Sequence, residues 1–84
     1  MENTLDKILE KYYDETFLKA DGFDEAVIGV EESQMRLIYS VSKCLEILMR
    51  EMDFPDASEY FQFNVLGSYM GEKAPIWCDD MFGE

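Results

Sequence analysis

The side chains in this sequence with the greatest capacity for chemistry are carboxylates. The densest group is Asp21, Asp24, Glu25, Glu31 and Glu32, with no lysine or arginine from residue 20 to residue 35. Acids grouped in this way suit either a bound cation or an acidic docking surface. Calcium loops alternate their acids, turn on a glycine and close on a glutamate, and that order is absent here. A partner-binding surface is therefore the functional expectation for these five residues, weighed against solvated acids around a turn. Asp53 and Asp56 are close enough in sequence for acid–base work, which needs two carboxyls in one partly dry cleft with pKa values pushed apart. Asp53-Phe54-Pro55-Asp56 reads better as a helix start, with a carboxylate at the N-cap, another at N3 and proline tolerated in the first turn.

Other reactive types fare no better. Cys44 and Cys78 can form at most one disulfide, and the C-x-x-C spacing of redox and zinc sites does not occur. Cys44 lies within an apolar helical stripe, and the chain has no histidine to activate it, so packing is expected for it and for Cys78 beside Trp77. Tyr60, Phe61, Phe63, Tyr69 and Trp77 resemble a base-stacking platform, but such platforms are set in a positive groove and this chain has no basic cluster. Asn64, among apolar neighbours, is expected to be buried, where its amide would either tie two helices together or line a polar pocket, the tie being the expected role. No catalytic residue, metal site or cofactor is expected.

The whole-chain figures agree. The 84 residues carry 19 acids, 7 bases and no histidine, for a net charge of −12, with 48% apolar residues and twelve aromatics. One domain is all that such a length supports, and the aromatic content is enough to collapse despite the charge. The acidity argues against direct nucleic-acid binding, whose affinity comes from cations on phosphates. The commonest general base and metal ligand is missing. No apolar run approaches a membrane span and no secretory leader is seen, so a cytoplasmic chain with two free thiols is expected.

Periodicity supplies the elements that would position these groups. Leu5, Ile8, Leu9 and Tyr12 predict an amphipathic helix over 4–18, with Asn3 and Asp6 as an N-cap pair and Asp21-Gly22 as its stop. Ala26–Val30 and Met35–Tyr39, across a four-residue polar gap, predict a β-hairpin in which Gly29 marks a bulge. Val41, Cys44, Leu45, Leu48, Met49 and Met52 predict a second helix capped by Ser40 or Ser42. A third, begun by Asp53, is expected to run to about Met70, with Gly71 as its C′ residue. It is apolar on two sides, which predicts a helix sandwiched between protein layers or between two copies. Ile76-Trp77-Cys78 reads as an edge strand and 79–84 as a frayed tail of a single domain, 1–84. The fold class is α+β: an N-terminal helix, a β-hairpin, two consecutive helices and a short C-terminal strand, the helices packed on one face of a small antiparallel sheet.

Residues 22–30 (GFDEAVIGV), 35–49 (MRLIYSVSKCLEILM) and 59–72 (EYFQFNVLGSYMGE), followed by Pro75-Ile76-Trp77, resemble small acidic proteins of tailed-phage genomes, particularly cyanophage-type ones. The resemblance implies a viral origin and a bacterial host cytoplasm. It contains no mechanistic motif.

The functional expectation is a non-enzymatic protein-interaction module, a phage-type accessory protein. It would bind a protein partner or self-associate as a homodimer, with Tyr60, Phe63, Leu66, Gly67 and Met70 as the oligomer interface. One alternative is an acidic DNA mimic that occupies the basic groove of a host nucleic-acid-binding protein, its charge steering the encounter. Another is an oligomeric structural module of a viral assembly. No contact with membrane is expected.

Overall fold

The computed structural model of this chain describes residues 3–69 and 71–82. Helix α1 spans Thr4–Lys11, and Asn3 caps it by accepting the Asp6 N–H at 2.9 Å. Leu5 and Ile8 are its buried face. The helix stops seven residues short of the expected end. One turn beyond Tyr12, the positions that would continue the apolar face are Glu15 and Thr16, so further helix would bury nothing. Residues 15–20 instead run as a strap. Lys73 Nζ donates to the Thr16 carbonyl at 3.0 Å, and the Ala20 N–H donates to the buried Tyr39 hydroxyl at 2.8 Å.

A single 3-10 turn, Asp24–Ala26, leads into β1 (Val27–Glu31), which pairs antiparallel with β2 (Arg36–Ser40). The register shifts between Val27 and Gly29, which leaves Ile28 bulged at the expected place. Leu37 and Tyr39 alternate onto the buried side of β2 and are fully buried, while Ile38 between them is half-buried. Met35 closes the connecting turn at φ 56°, in the left-handed region.

Strand β2 passes straight into α2 (Val41–Leu48). Ser40 is both the last strand residue and the N-cap, its hydroxyl accepting the Lys43 N–H at 3.1 Å. Helix α3 begins at Phe54, capped by Asp53, and is α-helical to Tyr60. It then continues as a π-helical stretch, Phe61–Val65, with the Leu66 N–H bonded to the Phe61 carbonyl at 3.0 Å. The reason lies in the spacing of the buried residues Ala57, Phe61 and Val65. Two successive steps of four overshoot an α-turn by about 40° each, and one wider turn brings Val65 back onto the core.

Strand β3 (Ile76–Cys78) completes the sheet in the order β1-β2-β3. The fold class is α+β, but the sheet is mixed rather than antiparallel. Strand β3 runs parallel to β2, pairing Ile38 with Ile76, Tyr39 with Trp77 and Ser40 with Cys78. A parallel return needs a crossover longer than a hairpin, and α2 and α3 together provide it. The core gathers Leu5, Ile8, Phe23, Val27, Leu37, Tyr39, Cys44, Leu45, Phe61 and Val65. Trp77 packs against it at ring-centroid distances of 5.2 Å from Tyr39 and 5.4 Å from Phe61. No helix among the described residues is long and apolar enough to cross a membrane.

Candidate functional site

The side chains of α3 divide three ways. Ala57, Phe61 and Val65 face the core. Phe54 and Leu66 flank them on one side, 46% and 40% exposed; Tyr60 and Phe63 lie away from it, 44% and 71% exposed. A helix with its inner face already buried thus leaves four large apolar side chains in water. Scattered single exposures need no explanation, but several on one element mark a contact surface.

On the Phe54–Leu66 flank the surface forms an open groove of about 380 Å3. Leu45, Phe61 and Trp77 form its inner wall, and Phe54, Leu66 and Met81 its rim. Ser58 and Gln62 add polar groups from α3, and Asp79 adds one from the far side. Beyond the groove, Met52, Asp56, Glu59, Tyr60, Phe63 and Asn64 border a second concavity of about 490 Å3.

Of the residues expected at an oligomer interface, Tyr60, Phe63, Leu66 and Gly67 are all exposed, and Met70 lies outside the described residues. Among the described residues nothing would come within 4 Å of a Cβ at Gly67, so no other described part of the chain uses its smallness. Asn64 is exposed, not buried as expected. The expectation assumed an unbroken α-helix, and the wider turn rotates position 64 outward.

The five acids expected to form one partner surface do not stay together as free carboxylates. Glu25 pairs with Arg50 at 2.5 Å. Glu31 closes the hairpin turn, accepting the Ser33 N–H at 2.8 Å and the Gln34 N–H at 3.1 Å, and also the Ser33 hydroxyl. The Ser33 hydroxyl bond, with the two amides, holds the Glu31 carboxyl below its ordinary pKa. Glu32 accepts the Tyr12 hydroxyl. Asp21 and Asp24 are exposed and have no side-chain hydrogen bond or ion pair among the described residues. Strand β1 also separates Glu25 from Glu31 and Glu32 by roughly 15–20 Å at about 3.3 Å per residue.

Cys44 is completely buried, and burial pushes its thiol up to about 12, with the Asp80 charge adding to the effect. It is a packing residue with little thiolate character. Cys78 is half-buried, and both cysteines are free. Asp53 accepts the Asp56 N–H at 3.3 Å, the capping role expected of it. Among the described residues, no three His, Cys, Asp or Glu side chains form a group that could hold a metal ion.

Asp80 lies within the segment expected to fray, yet it accepts the Ser40 hydroxyl at 2.5 Å and the Ser42 N–H at 2.9 Å. These bonds tether the chain beyond β3 beside the start of α2, with Met81 at the groove rim. Sequence reasoning missed the groove because its walls come from α2, α3, β3 and the tail. Only the apolar pair Met81-Phe82 after two aspartates hinted that the tail has a surface to meet.

Comparison with protein-family models, with curated proteins and with solved structures finds no match to this chain.

Proposed function

We propose that this chain is a non-enzymatic protein-interaction module that docks through α3. The observation that carries the reading is the exposure of Phe63 (71%) and Tyr60 (44%) on a helix whose core face is already filled. Aromatic side chains are the usual anchors of protein contacts, because they bury much area while losing few rotamers. The charge of −12 favours a partner other than a second copy. Asp53, Asp56 and Glu59 ride on or cap the same helix, and a second copy would set like charges against them. The resemblance to small tailed-phage proteins supports an accessory role in a bacterial host.

The test is capture of binding proteins from bacterial lysate by the wild-type chain and by Tyr60→Glu and Phe63→Glu. Circular dichroism should show that both variants fold, since neither side chain is in the core. Loss of the captured species in both variants supports the reading. Capture indifferent to both substitutions ends it, and a light-scattering mass of twice 9.8 kDa would return the face to self-association.

A further inference from the structure

We infer that the groove beside α3 seats a cationic amphipathic helix from the partner protein, an inference that rests on the interaction reading above and names the partner's chemistry. The groove's apolar rim and inner wall call for apolar side chains at helical spacing. It follows α3 from Phe54 to Leu66, about 18 Å at about 1.5 Å per residue, which matches three to four turns of a docked helix. Strand β3 has only three residues, too short an edge for an added strand to supply most of the affinity. The groove is also too open to enclose a small ligand, which would keep much of its surface in water.

The charge of the occupant follows from the groove's surroundings. From Glu51 to Phe82 the only basic residue is Lys73, and that ammonium is engaged by the Thr16 carbonyl at 3.0 Å and by Glu15 at 3.7 Å. The same stretch holds Glu51, Asp53, Asp56, Glu59, Glu72, Asp79 and Asp80. Asp79 lines the groove itself. Its Oδ1 accepts the Met81 N–H at 3.2 Å, and its Oδ2 has no partner among the described residues. A lysine or arginine next to an apolar anchor would reach that oxygen and lie near the Trp77 ring, where the cation gains further from the π face. A second copy of this chain would bring its own −12 to an acidic rim. Met81 gives the rim an unbranched side chain able to adapt to the anchor.

Trp77, the single tryptophan, lines the groove and reports occupancy directly. The probes are two model amphipathic helices of equal length, one of leucine and lysine and the other of leucine and glutamate, titrated into the whole chain. The leucine–lysine helix should shift Trp77 emission saturably, and the leucine–glutamate helix should not. Leu66→Glu should weaken binding about tenfold, because it sets a carboxylate against the partner's apolar anchor, and Asp79→Asn about two- to fivefold, as for an exposed charge pair. Removing two distant charges with Glu10→Gln and Asp14→Asn should leave it unchanged. Equal weakening by the distant pair and by Asp79→Asn would show attraction to net charge alone and overturn the inference. So would an unmoved Trp77, or a Trp77 shift on dilution that marks a dissociating dimer. If the peptide fails while Phe63→Glu still abolishes capture from lysate, the groove inference falls and the interaction reading stands. If capture is also indifferent to Phe63→Glu, both fall.

Discussion

Asp80 holds Ser40 at the junction of β2 and α2, its Oδ2 accepting the Ser40 hydroxyl at 2.5 Å while its Oδ1 accepts the Ser42 N–H at 2.9 Å. Ser40 in turn caps the helix through the Lys43 N–H, so one carboxylate secures both a strand end and a helix start. The Ser40 hydroxyl, then the Ser42 amide, keeps the Asp80 carboxyl below its ordinary pKa. A carboxyl depressed in the folded state stabilises the fold above its unfolded pKa of about 3.9, and that contribution disappears as pH falls through the folded value. Asp80→Asn should therefore lower the urea midpoint at neutral pH and match wild type well below the folded pKa. Ser40→Ala should cost about 1 kcal/mol as a lost cap, and the double variant should lose less than the sum. Strict additivity would show that the two residues act independently.

The buried bond from the Ala20 N–H to the Tyr39 hydroxyl makes a second, separable prediction. Burial also raises the Tyr39 pKa, so the phenol remains neutral and remains an acceptor for that amide. Tyr39→Phe leaves the ring against Trp77 but strands a buried donor, at a cost of about 1–3 kcal/mol. Denaturant melts should show that loss with the Trp77 emission of the folded state little changed. Hydrogen exchange at Ala20 should accelerate more than exchange in α1. A loss well under the range would mean that water replaces the hydroxyl and that the strap is not sealed there.

Both contacts also mark the boundary of what local sequence reveals. The caps at Asn3, Ser40 and Asp53, the hairpin and its bulge beside Gly29 depend on partners within a few residues, and each was legible. The early end of α1, the parallel return of β3 and the reach of Asp80 depend on partners 19 to 57 positions away in the chain. Periodicity carries no record of these. The two apolar sides of α3 were legible, but not that Tyr60, Phe63, Leu66 and Gly67 would be left exposed, because periodicity does not say whether a layer of this chain or another copy covers the second side. The groove was not, because Trp77 and Met81 reach it only through the pairing of β3 with β2.

Met35 closes the hairpin at φ 56°, the only positive φ outside glycine among the described residues. A left-handed conformation costs a residue with a Cβ about 1–2 kcal/mol, and asparagine bears it better than methionine. Met35 is half-buried, so replacement also gives up some apolar contact. The conformational gain should exceed that loss. Met35→Asn is expected to raise stability by up to about 1 kcal/mol, read as a higher urea midpoint with an unchanged m-value. A lower midpoint would mean that the Met35 side chain contributes more packing than its position suggests.

At the start of α3 two electrostatic effects compete on Asp56. The positive end of the helix favours its charge, while Asp53, whose carboxylate caps the same turn, disfavours it. The Asp56 pKa is raised, first by the Asp53 charge and then by desolvation, with Glu59 adding a smaller push, so repulsion prevails. A carboxyl whose folded pKa exceeds its unfolded value destabilises the fold when ionised, and that penalty lifts as pH falls through the raised pKa. Asp56→Asn should therefore raise Tm slightly at neutral pH and low salt. The advantage should shrink as salt screens the exposed pair, and again as acid protonates Asp56 in the wild type. Asp53→Asn makes the matched control, since asparagine keeps the capping oxygen while removing the repelling charge. In that background the Asp56→Asn gain should fall sharply; a gain that persists in full would place the repulsion with Glu59 instead.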